Sequence, residues 1–489
     1  MTSETATAMS RLSGSRPIRY VLISLALLLP CFWQPRIQAG DLSSHIYNSW
    51  LAQLIENGQA GGLTIVRQST NILFDLFLSG LFRLAGPEWA QRAAVSAAVL
   101  IFVWGAFAFI SAAAGRRAWH LIPAIAMLAY GWVFHMGFFN FYLSMGLCFW
   151  ALALVWNPRP RRAVLAAALL LLAYTAHALP VVWIVGLIAY VWMARRVSPG
   201  TRAWLMVGSI LLLVVAREAI SRSLPSEWSL RQISLVTGAD QVWVFDGKYY
   251  FILAGLLLLW GSLFLELIRG RTRREVVSSI PFQLSVLTAA AVFILPTKVA
   301  LPGFNHALVY IGERMSLGVG VCMCAMLGIA QARAAQRYGS ILLAAVFFVF
   351  LFRDERALNN FEDRMDGIVA QLPPGQRVVS PIIDPGLRVN ALAHMVDRAC
   401  MGRCFSYANY EPSTAQFRIR AVHVNPVVAE QYKDSWELQT GTHVVRDREL
   451  PLFRIGVSGE GRLAIQSLKA GVLCRSTLWE VLKNRTPSS

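Results

Sequence analysis

The stretch "AGDLSSHIYNSW" sets an acid and an imidazole four residues apart, Asp41 and His45. On a helix that spacing puts both side chains on one face, about one turn apart. A carboxylate there could take a proton from a hydroxyl or help to hold a metal, while the imidazole orients it or touches a phosphate. The competing reading is that Asp41 only caps the helix starting at Leu42. Other polar groups collect near the ends of apolar runs. His135 and Asn140 flank "HMGFFN", and His177 sits in "TAHALP". Lys298, Asn305 and His306 lie in "TKVALPGFNH", and Glu313 and Arg314 follow one or two turns into the next run. Glu313 and Arg314 are neighbours in sequence and cannot face each other on a helix, so each needs another partner. Histidines at helix ends also read as interfacial side chains, and Lys298 as a snorkelling anchor.

These groups punctuate a chain of 489 residues that is 56% hydrophobic, with a mean hydropathy of +0.50. Apolar runs fall at roughly 18–36, 92–113, 118–136, 138–156, 162–177, 179–194, 202–217, 249–268, 281–297, 307–331 and 338–353. Runs of about 20 apolar residues are what a bilayer-crossing helix needs. The fold expected is a polytopic α-helical membrane protein with about eleven transmembrane helices.

The net charge of +18 does not indicate nucleic acid, because residues 354–489 hold 17 Lys+Arg against 15 Asp+Glu and leave 28 against 12 upstream. That excess lies in the short loops "GRRAW", "NPRPRR", "ARRVSPGTR", "RGRTRRE" and "QARAAQR". Such loops mark the cytoplasmic side. The N-terminus is then cytoplasmic and its apolar run an uncleaved first helix. Counting from these loops, residues 37–91, 217–248 and 354–489 fall together on the outer side of the membrane. The run "NILFDLFLSGLFRLAG" at 71–86, short and carrying Asp75 and Arg83, suits a helix lying on the outer surface. The Asp41/His45 helix, with Ile46, Leu51, Leu54 and Ile55 as its apolar stripe, suits the same position.

The chain divides into a membrane part, 1–353, with outer loop helices at 37–91, and an extracytoplasmic α/β or α+β domain, 354–489. In the latter, "ERALNNFEDRMDGIVAQLPPG" reads as an amphipathic helix, and "QRVVSPIID", "FRIRAVHV" and "PLFRIGV" as strands. Cys400 and Cys404 in "CMGRC" suit a disulfide in an oxidising compartment; two free thiols or half a metal site fit the same spacing. The other five cysteines read as apolar fillers. "CFSYANYEPSTAQFRIRA", 404–421, offers groups for a saccharide but reads equally as strands and turns.

With the first apolar run, an acid at the start of the first outer loop, surface helices before the second span and an outer C-terminal domain, the chain resembles the GT-C superfamily of integral-membrane glycosyltransferases. Within it the chain is similar to the protein mannosyltransferases and bacterial aminoarabinose transferases. The resemblance implies sugar transfer from a polyprenyl-phosphate carrier to a glycan, lipid or protein acceptor at the outer face of a plasma (inner) membrane. It implies Asp41 as general base with His45 beside it, Lys298, Arg314 and Arg67 as cations for the lipid phosphate, and His306 as a hydrogen-bond donor. His135, Asn140, His177 and Glu313 would line the cavity, and grooves between spans would hold the polyprenyl tail. The chain departs from the pattern in two ways. Paired acids are missing after Asp41, and no DxD occurs in the outer loops, so a divalent metal stays open and no cofactor is firmly implied. A transporter or flippase, an O-antigen-type polymerase or ligase, and a non-catalytic envelope scaffold are the alternatives.

Overall fold

A computed structural model describes residues 16–422, 425–458 and 460–479. The N-terminal segment read as cytoplasmic lies largely outside the described residues, as do His423 and Val424 of "FRIRAVHV". The chain is mostly helical, and helices lie along each of the apolar runs. Among the described residues, five are long and apolar enough to cross a membrane: Leu73–Ala114, Phe139–Trp156, Pro199–Ser223, Tyr249–Arg269 and Ala334–Val369. The Pro199–Ser223 helix makes the physical case most directly. Its 25 residues include none that is buried, and Leu211, Leu212 and Val215 are each more than 60% exposed. So large an apolar surface is untenable in water and ordinary in lipid. The protein is membrane-embedded.

Three elements differ from what the pattern of apolar residues suggests. The 118–136 run is broken: helices Ile122–Ala129 and Trp132–Met136 are separated at Tyr130–Gly131. At 1.5 Å per residue the first spans only about 12 Å. The 71–86 segment is joined to the following apolar helix, with a kink at Gly86, where φ is +75°, next to Pro87. The amphipathic segment of the C-terminal region is no separate helix. It continues the last apolar helix without a break, Ala334–Val369.

That continuity has a structural purpose. Beyond the apolar half, Asp354, Glu355, Asn359 and Glu362 form a buried polar stripe along one face of the helix. Asp354 accepts from Lys248 Nζ at 2.8 Å and Tyr249 Oη at 2.8 Å. Glu355 accepts from Trp33 Nε1 at 2.6 Å, Asn359 from the Arg36 N–H at 3.0 Å, and Glu362 from Gln38 Nε2 at 2.7 Å. Arg36 and Arg398 both reach Glu362, at 3.7 and 3.3 Å. The stripe therefore latches the C-terminal region onto the residues that follow the first helix.

Beyond the latch, strands Phe405–Ser406, Arg377–Val379, Leu452–Val457 and Leu463–Ser467 form a four-stranded mixed sheet in that order. "FRIRAVHV" does not join it. Ile419–Ala421 pairs antiparallel with Leu63–Ile65, register Thr64 opposite Arg420, so the C-terminal region and the first loop share a sheet. Polar segments from 31–75, 225–248, 297–314 and 377–440 meet at one end of the helices. The arginine-rich loops bond among themselves elsewhere: Arg116 to the carbonyl of Gly328, Arg202 to that of Ser278, and Arg333 to Glu266.

Candidate functional site

Asp41 is held by its backbone. Its N–H donates to the Met136 carbonyl at 3.0 Å, and that of Gly40 to His135 at 2.7 Å. Gly137, at φ +83°, allows this approach, since a Cβ there would lie 2.4 Å from the Asp41 nitrogen. Asp41 is the N-cap of the Leu42–Glu56 helix, yet its side chain makes no capping hydrogen bond. The simple capping role, in which the carboxylate would take an N–H of the first turn, is therefore not what this aspartate does. Its carboxylate, 23% exposed, faces the C-terminal region, where His394 Nε2 lies 3.7 Å from Oδ1.

His394 is itself oriented. Its Nδ1 meets Asp397 Oδ2 at 3.0 Å, and Asp397 Oδ1 accepts from Ser406 Oγ at 2.5 Å. The ring lies tilted against Tyr410, centroids 5.4 Å apart. Burial works against a charge on His394, but Asp397, with Asp41 and Glu411 further off, holds its pKa above the ordinary value of 6.5. The result is an imidazolium between two carboxylates.

Arg314, in the first turn of the Ile311–Leu327 helix, lies within electrostatic reach of Asp41, Tyr410, Tyr310 and Glu313. Its guanidinium sits over Phe138, 3.8 Å from the ring centroid. Phe138, Trp132 and Tyr310 pack mutually at 5.7–6.2 Å. Tyr310 adopts φ +58°, a backbone region unusual for an aromatic residue and found where surroundings enforce it. Two buried donors here, Arg314 Nε and Trp132 Nε1, have no hydrogen-bond partner. Unsatisfied buried donors are costly and rare, and the Arg314 guanidinium with the Trp132 indole N–H offers donors suited to an anion.

His45 does not share the Asp41 carboxylate's direction. The expected acid–imidazole pair is replaced by His45 Nδ1 with Asp75 Oδ1, at 2.6 Å. Asp75 Oδ2 accepts from Asn140 Nδ2 at 2.7 Å, and Asn140 Oδ1 from the Phe74 N–H at 2.8 Å. Arg418 is in electrostatic reach of Asp75 and donates to Ser79 Oγ. Burial opposes a charge on His45, but Asp75, aided by Glu411 and Asp41, pushes its pKa up to about 9. Glu411 is buried beside this group and accepts from Ser44 Oγ at 3.3 Å. Burial pushes its pKa up to about 7. The helix bearing His45 does not float on a surface: Leu42 to Ser49 are all buried, because its polar residues are met by the C-terminal region. Asn48, for one, accepts from Asn409 Nδ2 at 2.8 Å.

The other residues singled out by type are distributed around these clusters. His135 is buried against Glu355, 3.2 Å away, and serves the latch. His177 caps the following helix, its Nδ1 accepting the Leu179 N–H at 3.2 Å. Glu313 accepts from Thr297 Oγ1 at 2.7 Å. Lys298 is ion-paired with the exposed Glu227 at 2.7 Å, and Arg67 is exposed. His306 Nδ1 meets Tyr432 Oη at 2.8 Å, 6.4 Å from Tyr410 between ring centroids. Burial, then the fields of Arg314 and Lys298, lower its pKa to about 4, so it is neutral. Cys400 and Cys404 are disulfide-bonded, while Cys31, Cys148, Cys322, Cys324 and Cys474 are free and buried. Among the described residues, Asp434, Glu437 and His443 gather as potential metal ligands. Arg446 already binds Asp434 at 2.8 Å, and Glu449 meets His443 at 2.9 Å, so a structural ion-pair cluster accounts for them.

His394, Asp397, Tyr310 and Trp132 escaped reading by residue type, and Asp75 reads there only as a charge on the 71–86 run. The "HMVD" spacing, an i, i+3 pair, was the available signal for the first two, but nothing in it says that the pair meets Asp41. Comparison of the chain with protein-family models, with curated proteins and with solved structures finds no match.

Proposed function

We propose that the chain is a GT-C-like membrane glycosyltransferase of about eleven spans. In this reading it moves a sugar from a polyprenyl-phosphate carrier to an acceptor hydroxyl at the outer face of a plasma membrane. The single observation that carries this is Asp41: an N-cap aspartate whose carboxylate caps nothing and instead stands in the field of Arg314, under His394 and Tyr410. A base and an anion cradle side by side are what displacement at a phosphate-activated anomeric carbon requires.

In the reaction the acceptor oxygen forms a bond to the anomeric carbon as the bond from that carbon to the phosphate oxygen breaks. The electron pair leaves with the lipid phosphate, whose charge Arg314 and Trp132 Nε1 stabilise; the hydroxyl proton goes to Asp41. Tyr410 and Tyr310 supply aromatic faces for the sugar. His394, tethered by Asp397, is a positioning residue: its charge faces the Asp41 carboxylate and aims it.

The test replaces the native chain with Asp41→Asn in a deletion background at matched membrane levels. Mass spectrometry follows envelope glycolipids, glycoproteins and polyprenyl-linked sugars. Loss of one glycan modification with accumulation of its lipid-linked donor is expected. Unchanged glycans would remove Asp41 as the base and favour a transporter or scaffold.

A further inference from the structure

Far from Asp41, at the opposite end of the Leu73–Ala114 helix, a groove of about 540 Å³ runs along that helix from Leu100 to Ser111. Its walls are Tyr20 from the first helix, Ile101, Trp104 and Phe107, and Trp150 from the Phe139–Trp156 helix; Arg117 stands at one end. The walls are apolar in effect, because the indole N–H groups are already used. Trp104 Nε1 donates to Ser24 Oγ at 3.0 Å, and Trp150 Nε1 to the Ile101 carbonyl at 3.1 Å. The two helices approach closely at Gly105 and Gly146: a Cβ on Gly105 would lie 2.4 Å from the Gly146 carbonyl oxygen. Small residues at that level bring the two helices together and leave the tryptophan rings standing as sides.

The mouth of the groove is cationic. Arg117 lies 5.7 Å from the Tyr20 ring centroid and Arg19 4.0 Å from that of Trp119. Both are exposed, and among the described residues neither pairs with an acid. The adjacent Arg116 behaves differently, donating to the Gly328 and Ala330 carbonyls that end another helix. An apolar slot with Arg117 in its lining, and Arg19 close by on Trp119, which packs against Tyr20, matches one ligand shape: an alkyl chain with an anionic head. From Leu100 to Ser111 the helix rises about 16 Å, enough for much of one acyl chain.

We propose that this groove is a binding site for an acidic phospholipid, its chain against Trp104, Phe107 and Trp150 and its phosphate at Arg117 and Arg19. The site is separate from the Asp41 cluster and does not depend on what reaction that cluster performs. Basic pockets between membrane helices recognise anionic headgroups in this way.

The test uses the full-length protein in nanodiscs with phosphatidylglycerol or phosphatidylcholine bearing a photoreactive acyl chain, and peptide mapping of the crosslinks. Phosphatidylglycerol should label peptides containing Leu100–Ser111 and Trp150, and unlabelled phosphatidylglycerol should compete where phosphatidylcholine does not. R117Q and R19Q should each lower that labelling about fivefold, one charge near a headgroup at a time. Labelling by the phosphatidylcholine probe should not change, which verifies that the variants fold. Equal labelling by both lipids, or indifference to the arginine variants, overturns the site as an acidic-lipid site. A rise in labelling on removing residues 2–15 would do so too, by making the N-terminal segment the native occupant.

Discussion

His394 Nε2 lies 3.7 Å from Asp41 Oδ1, and the same imidazole is held from behind by Asp397 at 3.0 Å. The carboxylates of Asp397 and Asp41 on either side of the ring hold its pKa above the ordinary value, against the effect of burial. Neither end of the chain holds this arrangement alone.

If the chain performs the proposed sugar transfer, His394→Gln should cut it by about tenfold to a hundredfold, within the range that positioned proton-transfer machinery contributes. The informative readout is the pH–rate profile. In the native protein, activity should fall on the alkaline side as His394 loses its proton above pH 6.5. In the variant that limb should vanish. A uniform loss of rate with an unmoved profile would leave His394 a purely structural residue.

Stability should decline from pH 6.5 to 9, and His45 is the cause. Its folded pKa of about 9 exceeds the unfolded 6.5. The ion pair with Asp75 is thus fully present below 6.5 and lost as pH rises through 9. Glu411 acts in the same direction at lower pH. Its folded value near 7 lies above the ordinary 4.5, so ionising it in place is unfavourable and stability falls between those values. Thermal melts of detergent-purified protein should show a steeper alkaline decline in the native chain than in His45→Gln. Parallel curves would refute the charged pair.

Arg314→Gln should reduce transfer at least tenfold and raise the concentration of lipid-linked donor needed, with Arg314→Lys recovering part of the loss. A lysine restores the charge but not the planar fork, nor the contact with Phe138. Recovery to full activity in the lysine variant would mean that charge alone suffices. No effect in either would take Arg314 out of the anion cradle.

Glu362→Gln should loosen the C-terminal region. The buried carboxylate is reached by both Arg36 and Arg398; Arg36 keeps Asp363 and Asp366, but the buried Arg398 loses its ion-pair partner among the described residues, which costs about 3 kcal/mol or more. The check is limited proteolysis, which should cut the variant after residue 370 under conditions that leave the native chain intact. Labelling of denatured, non-reduced protein should count five free thiols in both forms, since the Cys400–Cys404 disulfide lies outside the latch.

Much of the architecture was legible from composition. Apolar runs gave the helices, because in a bilayer the length and hydropathy of a segment suffice to say that it is helical and embedded. The break at Tyr130–Gly131 was not legible: the run stays apolar throughout, and the short helices are held by contacts such as Val133 N–H to Gln241 Oε1 at 3.2 Å. The helix continuing through residue 353 was missed for the converse reason. Polarity changes there while helical propensity does not, and only the partners of Asp354 and Glu355 explain why acids follow an apolar stretch.

At the candidate site the division is similar. The sequence by itself marked Asp41 and Arg314 as polar groups beside apolar runs, since ionisable groups in such settings need a reason; residues 404–421 read equally as saccharide contacts or as strands and turns. It also put His45 one turn from Asp41, where backbone periodicity alone brings them to one face. Tertiary structure decided the partners. His45 turns to Asp75, whose helix packs alongside, and Asp41 turns to His394, which arrives from the far end of the chain through the latch on Glu362. Periodicity fixes which face a residue occupies; what stands opposite that face is set by long-range packing, which no local spacing encodes.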